Sequence, residues 1–145
     1  MKIVLQRVLS ASVKVDGVVV GAIGRGYLLF VGIAADDDEQ TVRRLACDVS
    51  KARLMEDAAG KMGVALAEAG GEALAVSQFT LLADFSKGNR PSFNGAAKPD
   101  IARPLFNLFV SQLMVHLGRP VPTGVFGADM KVELLNDGPV TVVLE

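Results

Sequence analysis

The segment Ser77-Gln78-Phe79-Thr80-Leu81 sets two hydroxyls and a carboxamide into an otherwise apolar stretch. Read as part of a strand, it puts Ser77, Phe79 and Leu81 on one face and Gln78 and Thr80 on the other. Backbone N–H groups freed at a strand end, beside such side chains, suit an oxyanion hole. A plain solvent-facing alternation accounts for the same residues. A second segment, Asn136-Asp137-Gly138-Pro139-Val140-Thr141, is made of turn formers and reads as a hairpin turn. Its Gly-Pro bond can also be cis at modest cost. A third, Arg90-Pro91-Ser92-Phe93, offers a cation and an aromatic ring, which suit a phosphate and a base or the anchoring of a loop.

Most familiar catalytic devices are missing. The chain has 145 residues but one His and one Cys. An intrachain disulfide is impossible, and a His/Cys zinc site lacks the three or four ligands it needs. No cofactor is implied. His116 falls near the end of a helix, where a cation suits the helix dipole. Cys47 lies beside an apolar helical stripe and reads as a small hydrophobe. There is no phosphate-binding P-loop, no dinucleotide fingerprint and no nucleophile elbow around Ser77. Thr80 has no His or Lys in its motif to take its proton, and an unassisted hydroxyl is a weak nucleophile.

The elements that must carry these segments follow from pattern and punctuation. Strands are expected over 2–15 and 18–23, joined by Asp16-Gly17, and over 27–31, a continuous apolar run that suits burial on both faces. Asp36-Asp37-Asp38 supplies N-cap candidates for a helix whose Val42, Leu45, Ala46 and Val49 form one stripe. A short strand over 53–56, a Gly-rich loop over 57–71, a strand over 72–82 and a long loop over 84–98 come next. A second helix is expected over 100–117, with Ile101, Leu105, Leu108, Phe109, Gln112 and Leu113 around its apolar face. Pro104 moves the start of its regular part toward Arg103. Two terminal strands, 131–136 and 140–144, are joined by the turn at 137–139. The order is not a βαβ alternation. It predicts a single α+β domain over 1–145, with mostly antiparallel sheets or a partial barrel and two helices.

Charge and length narrow the partners. With 15 Lys+Arg against 16 Asp+Glu, the net charge is −1. That excludes the basic footprint of a general DNA or RNA coat, but not a protein that grips one end of an RNA. No apolar run approaches a membrane span, and the first residues carry no long apolar core with a cleavage site. No membrane or DNA partner is expected, and the expected location is cytoplasmic.

Taken together, Gln6-Arg7-Val8, Ser77-Gln78-Phe79-Thr80-Leu81, Arg90-Pro91-Ser92-Phe93, Ala128-Asp129-Met130 and Asn136-Asp137-Gly138-Pro139-Val140-Thr141 resemble the D-aminoacyl-tRNA deacylases in order and over the whole length. The resemblance implies a proofreading hydrolase. Such an enzyme cleaves the ester between a D-amino acid, or a mischarged glycine, and the 3′ end of a tRNA, and it rejects L-aminoacyl-tRNA. It implies a homodimer with active sites at the subunit interface, in which a cis Gly138-Pro139 of one subunit enters the other's pocket. The carbonyls of that turn would exclude L side chains, and Arg7 would support it. Ser77, Gln78, Phe79 and Thr80 match the catalytic pocket strand; the resemblance implies either Thr80 as nucleophile or, the better-supported family picture, assistance by the RNA's own 2′-hydroxyl. Arg90, Phe93 and Met130 are the candidate contacts to the tRNA end. The alternative is a non-catalytic module that binds the aminoacylated tRNA 3′ end.

Overall fold

The computed structural model describes residues 1–145. Its backbone order is β1 (Lys2–Val15), β2 (Val18–Ile23), β3 (Gly26–Gly32), α1 (Glu39–Lys51), β4 (Met55–Glu56), β5 (Met62–Val64), β6 (Glu72–Ser77), a 3₁₀ turn (Phe79–Leu82), α2 (Pro99–Leu117) and β7 (Lys131–Leu144). The β1–β2 hairpin turns on Asp16 and Gly17, both at positive φ, as a two-residue loop with the right-handed strand twist requires.

β1 organises the sheet. One edge pairs antiparallel with β3 through its first half and with β2 through its second; the other edge pairs with β7 almost end to end. β3 then pairs in parallel with β6, from Gly26 opposite Glu72 to Val31 opposite Ser77. The mixed sheet curls into a half-barrel with both faces apolar. Val8, Val13, Ile23, Leu28, Leu74 and Val76 pack inside the curl. Leu5, Leu29 and Val31 face the two helices, with Val42, Leu45 and Val49 of α1 and Phe106, Phe109 and Leu113 of α2. The continuous apolar run of β3 is therefore covered on both sides. The α+β expectation with two helices and a partial barrel holds.

The start of α1 follows the sequence: Asp38 is its N-cap, its carboxylate accepting the Thr41 N–H at 2.8 Å. α2 departs from expectation twice. It begins at Pro99 rather than near Arg103, with Pro104 inside it. Pro104 is exposed, as is Asp100, whose carbonyl loses its helical donor and is left to water. The buried face is Ala102, Phe106, Phe109, Leu113 and Leu117, one position round from the expected face, and Ile101 is exposed. Packing on α1 and the sheet holds the helix together against its internal proline.

Three further expectations are corrected. The strand over 72–82 stops at Ser77, and Phe79–Leu82 closes into a 3₁₀ turn, with Leu81 N–H bonded to Gln78 O and Ala83 N–H to Thr80 O. The two-face alternation of Ser77 to Leu81 is thereby lost. Gly32 makes room for this turn: a Cβ there would lie 2.6 Å from the Leu82 side chain and 2.9 Å from Gln78 O. The loop over 57–71 contains β5, which pairs with β4, while Arg53 and Leu54 lie outside the short strand. Finally, residues 131–144 form one strand rather than two joined by a hairpin. Both halves stay paired to the same β1, with Val8 opposite Asn136 and Gln6 opposite Thr141. The turn formers 137–140 therefore stand out as a wide bulge against the single residue Arg7.

Candidate active site

The end of β6 opens onto a cavity of about 580 Å³. Ser77, Gln78 and Phe79 form one lip, Phe93 and Lys98 another, and Phe126 and Met130 the far side. The register that ends at Ser77 decides this. Gln78 N–H still reaches Val31 O at 2.8 Å, and the chain then turns away from β3. The amides of Phe79 and Thr80, the first two of the 3₁₀ turn, have no acceptor within the chain. Phe79 lines the apolar hollow and Thr80 adjoins it, so both amides are free donors beside the cavity, where a developing negative charge can be met.

Around these donors the side chains are ordered by short contacts. Phe79 is 56% exposed and meets Phe93 edge-on, with ring centroids 5.1 Å apart. The Gln78 carboxamide donates to the Thr80 hydroxyl oxygen. That bond occupies a lone pair of Thr80 and offers its proton no base, since a carboxamide N–H only donates. Ser77 is half-buried, and its hydroxyl makes no bond in the chain. Across the cavity Phe126 tilts against Phe106, 6.2 Å between centroids, and the Arg103 guanidinium lies 4.9 Å over the Phe126 ring. This apolar wall was not anticipated. Phe106 belongs to the helix face that periodicity set one position away, and Phe126 sits in a coil segment with no pattern of its own.

The candidate residues do not all come together. Ser77, Gln78, Phe79, Phe93 and Met130 line the one cavity, and Thr80 flanks it through Gln78. Arg90 is exposed in the loop before Phe93 and does not line it. Arg7, Gly138 and Pro139 lie elsewhere, at the bulge of β7, while the cavity reaches that strand only at its start, through Val132.

The bulge is held by its own apparatus. Arg7 is 4% exposed. Its Nε donates to Asp137 O at 3.1 Å and faces the Asp137 carboxylate at 3.3 Å. Its Nη1 donates to Leu54 O at 2.9 Å, and its Nη2 lies 3.4 Å from the Glu56 carboxylate. One buried cation thus joins β1, the segment entering β4 and the bulge. The Gly138–Pro139 peptide bond is cis. Gly138 has φ +130, and a Cβ on it would sit 2.9 Å from Val140 N, which no side chain tolerates without moving backbone. Both residues of this pair are exposed.

The family profile for D-Tyr-tRNA(Tyr) deacylase matches residues 4–145. The chain belongs to the D-aminoacyl-tRNA deacylase family. Members of that family are ester hydrolases. A relative of that name from Chromobacterium violaceum is 53% identical over all of this chain and 97% of its own length. Another from Anaeromyxobacter dehalogenans is 54% identical over the same shares. Among solved structures, the c-Myc DNA Unwinding Element Binding Protein superposes with a TM-score of 0.93 at 38% identity, covering 100% of this chain and 98% of that one. A probable eukaryotic D-amino acid tRNA deacylase shares the fold, with a TM-score of 0.85 at 18% identity over 99% of this chain and 97% of its own. No helix of the chain is long and apolar enough to cross a membrane.

Proposed function

We propose that this member of the deacylase family hydrolyses the ester joining a D-amino acid, or a glycine placed on the wrong tRNA, to the 3′-terminal adenosine, and that it spares L-aminoacyl-tRNA. The observation that carries the reading is the free amide of Phe79, which lines the apolar cavity beside Ser77, with the free amide of Thr80 next to it in the chain. Water adds to the ester carbonyl, and the oxygen that gains negative charge is met by these donors. Collapse of the tetrahedral centre breaks the bond to the 3′ oxygen, which leaves as a hydroxyl, and free amino acid and tRNA result. In other enzymes the loss of one such donor costs about 10²–10³ in rate.

An aminoacyl ester is already activated, so the scarcity of acid–base side chains is no obstacle. The ribose 2′-hydroxyl, held beside its own ester, assists through proximity. Thr80, with its oxygen bonded to Gln78 and no base at hand, is poorly placed to act as nucleophile. Ser77, Gln78, Phe79 and Thr80 form the reaction-bearing lip, and Phe93, Met130 and Arg90 serve the tRNA end.

Chiral selection rests on the Gly138–Pro139 turn. Its backbone carbonyls form a wall against which an L side chain clashes, while D side chains and glycine point away. The turn does not line the cavity of its own chain, which favours a homodimer in which each subunit's turn closes the other's pocket. Exposed Leu9, Leu135 and Val143 flank the bulge, and the outer edge of β7 is unpaired; both features suit coverage by a second copy. The proposed setting is the cytoplasm. Deacylation time courses on D-tyrosyl-, glycyl- and L-tyrosyl-tRNA test the whole reading. Release from the first two with the third intact is expected. Equal D and L rates refute the selection, and binding without turnover leaves a module that only holds the tRNA end.

A further inference from the structure

The loop between the 3₁₀ turn and α2 carries chemistry that the cavity does not use. Residues 85–98 hold three cations, Lys87, Arg90 and Lys98, of which only Lys98 lines the cavity, and no acidic residue, in a chain whose net charge is −1. None of the three makes an ion pair within the chain. At the base of the loop Asp84 and Ser92 exchange two backbone hydrogen bonds of 2.9 Å. The Asp84 carboxylate is occupied locally, accepting from Ser86 N–H at 2.8 Å and from the Ser86 hydroxyl at 3.0 Å. It forms no ion pair with the loop's cations. A turn closed by Gly88 N–H on Phe85 O, 3.1 Å, forms the tip. Every residue from Phe85 to Arg90 is exposed, and Phe85, 58% exposed, stacks on no other ring. One residue past the base, Phe93 enters the cavity and meets Phe79. The loop thus rises from the cavity rim on a fixed base.

With a nucleoside in the cavity, a phosphodiester that leaves past Phe93 carries the preceding nucleotides along the loop. Free cations beside an exposed aromatic ring are what single-stranded nucleic acid seeks: a track for phosphates and a face on which a base stacks. We propose that the loop 85–90 is a platform for the single-stranded nucleotides just before the terminal adenosine, with Phe85 stacking on a base and Lys87 and Arg90 on the phosphates. The proposal rests on the hydrolase reading above and extends it to the substrate's upstream end.

Two substrates of one ester separate the possibilities: D-tyrosyl-tRNA, and D-tyrosyl adenosine, which has neither upstream base nor phosphate. The variants are Phe85→Ala and Lys87→Gln, both on the exposed tip. On the tRNA, Phe85→Ala is expected to raise KM roughly 5- to 150-fold, the effect of one lost base–aromatic stack, with kcat kept. Lys87→Gln is expected to lower the slope of log(kcat/KM) against log[salt] by about 0.7, one single-strand phosphate contact. On the adenosine ester both variants are expected to match the parent. Parental KM and salt slope on the tRNA overturn the proposal, as do equal losses on both substrates. A parent that cleaves neither ester refutes the hydrolase reading, and the platform with it.

Discussion

Arg7 is a residue whose loss the structure makes costly. Arg7→Met keeps the length of the side chain and removes its charge and all its donors. Two carbonyls, Leu54 O at 2.9 Å and Asp137 O at 3.1 Å, then lose a charged donor. Such bonds are worth about 1.5–3 kcal/mol each. The ion pairs add less. The Glu56 and Asp137 side chains are 40% and 24% exposed, so water takes over much of their solvation. The two bonds come to about 3–6 kcal/mol, and the usual cost of breaking a buried charged network, about 3–5 kcal/mol, is the figure carried forward. For a chain of this length it lowers the melting temperature by roughly 6–20 °C. The damage is directional, because the bonds lost are those that hold residue 137. The bulge should loosen first, and discrimination should fall before turnover: the L-tyrosyl-tRNA rate rises while the D-tyrosyl-tRNA rate holds. Arg7→Lys, whose ammonium can reach one carbonyl but not span three segments, should recover part of the melting temperature and little of the selectivity. Thermal melts and paired D and L deacylation assays read both effects. A variant Arg7→Met that melts within about 2 °C of the parent, with an unchanged D/L ratio, refutes the reasoning.

Three other expectations follow from separate parts of the molecule. Gly32→Ala places a Cβ against Gln78 O and the Leu82 side chain, so the 3₁₀ turn must shift and its free amides with it; kcat should fall by about 10²-fold, with KM affected less. Thr80→Ala should keep appreciable activity, since the Gln78 carboxamide gives that hydroxyl no base; complete loss in a folded variant, seen by circular dichroism and single-turnover assay, would restore Thr80 as nucleophile. Asp38, at the N-cap of α1, has its carboxyl held below its ordinary value of 3.8, first by the Thr41 backbone N–H. A group depressed in the folded state contributes stability above its unfolded value and loses it as pH falls through the folded one. Melting temperature should therefore drop below about pH 4, and Asp38→Asn, which still caps but does not titrate, should flatten that drop.

Much of the scaffold was legible because its signals are local. The Asp16-Gly17 hairpin, the Asp38 cap and the stripe Val42, Leu45, Ala46 and Val49 are each decided by atoms a few residues apart. α2 was legible as a helix but not in its face or start. Pro104 argues against a regular helix locally, and only burial of Phe106, Phe109 and Leu113 outweighs it. The 3₁₀ turn was hidden for the opposite reason. Val76, Phe79 and Leu81 carry an acceptable strand pattern, yet β3 offers its last paired residue at Val31, and Gly32 opens space for the chain to fold over.

By itself the sequence determined the chemical inventory. It held one His, one Cys, a hydroxyl-rich segment at 77–80 and a Gly-Pro turn at 138–139, which turned attention from side-chain bases toward backbone donors and the substrate's own hydroxyl. Tertiary structure decided what those pieces are. Residues 137–140 look like a hairpin turn to any local rule. They become a bulge because β1 pairs with both flanking halves of β7, and because Arg7 reaches across 130 positions of sequence to hold Asp137. The same holds for the cavity, whose walls come from β6, the loop at 93–98, α2 and the coil before β7. Turns and caps depend on near neighbours and can be read from the chain; register, bulges and hollows depend on partners that only the folded sheet brings within reach.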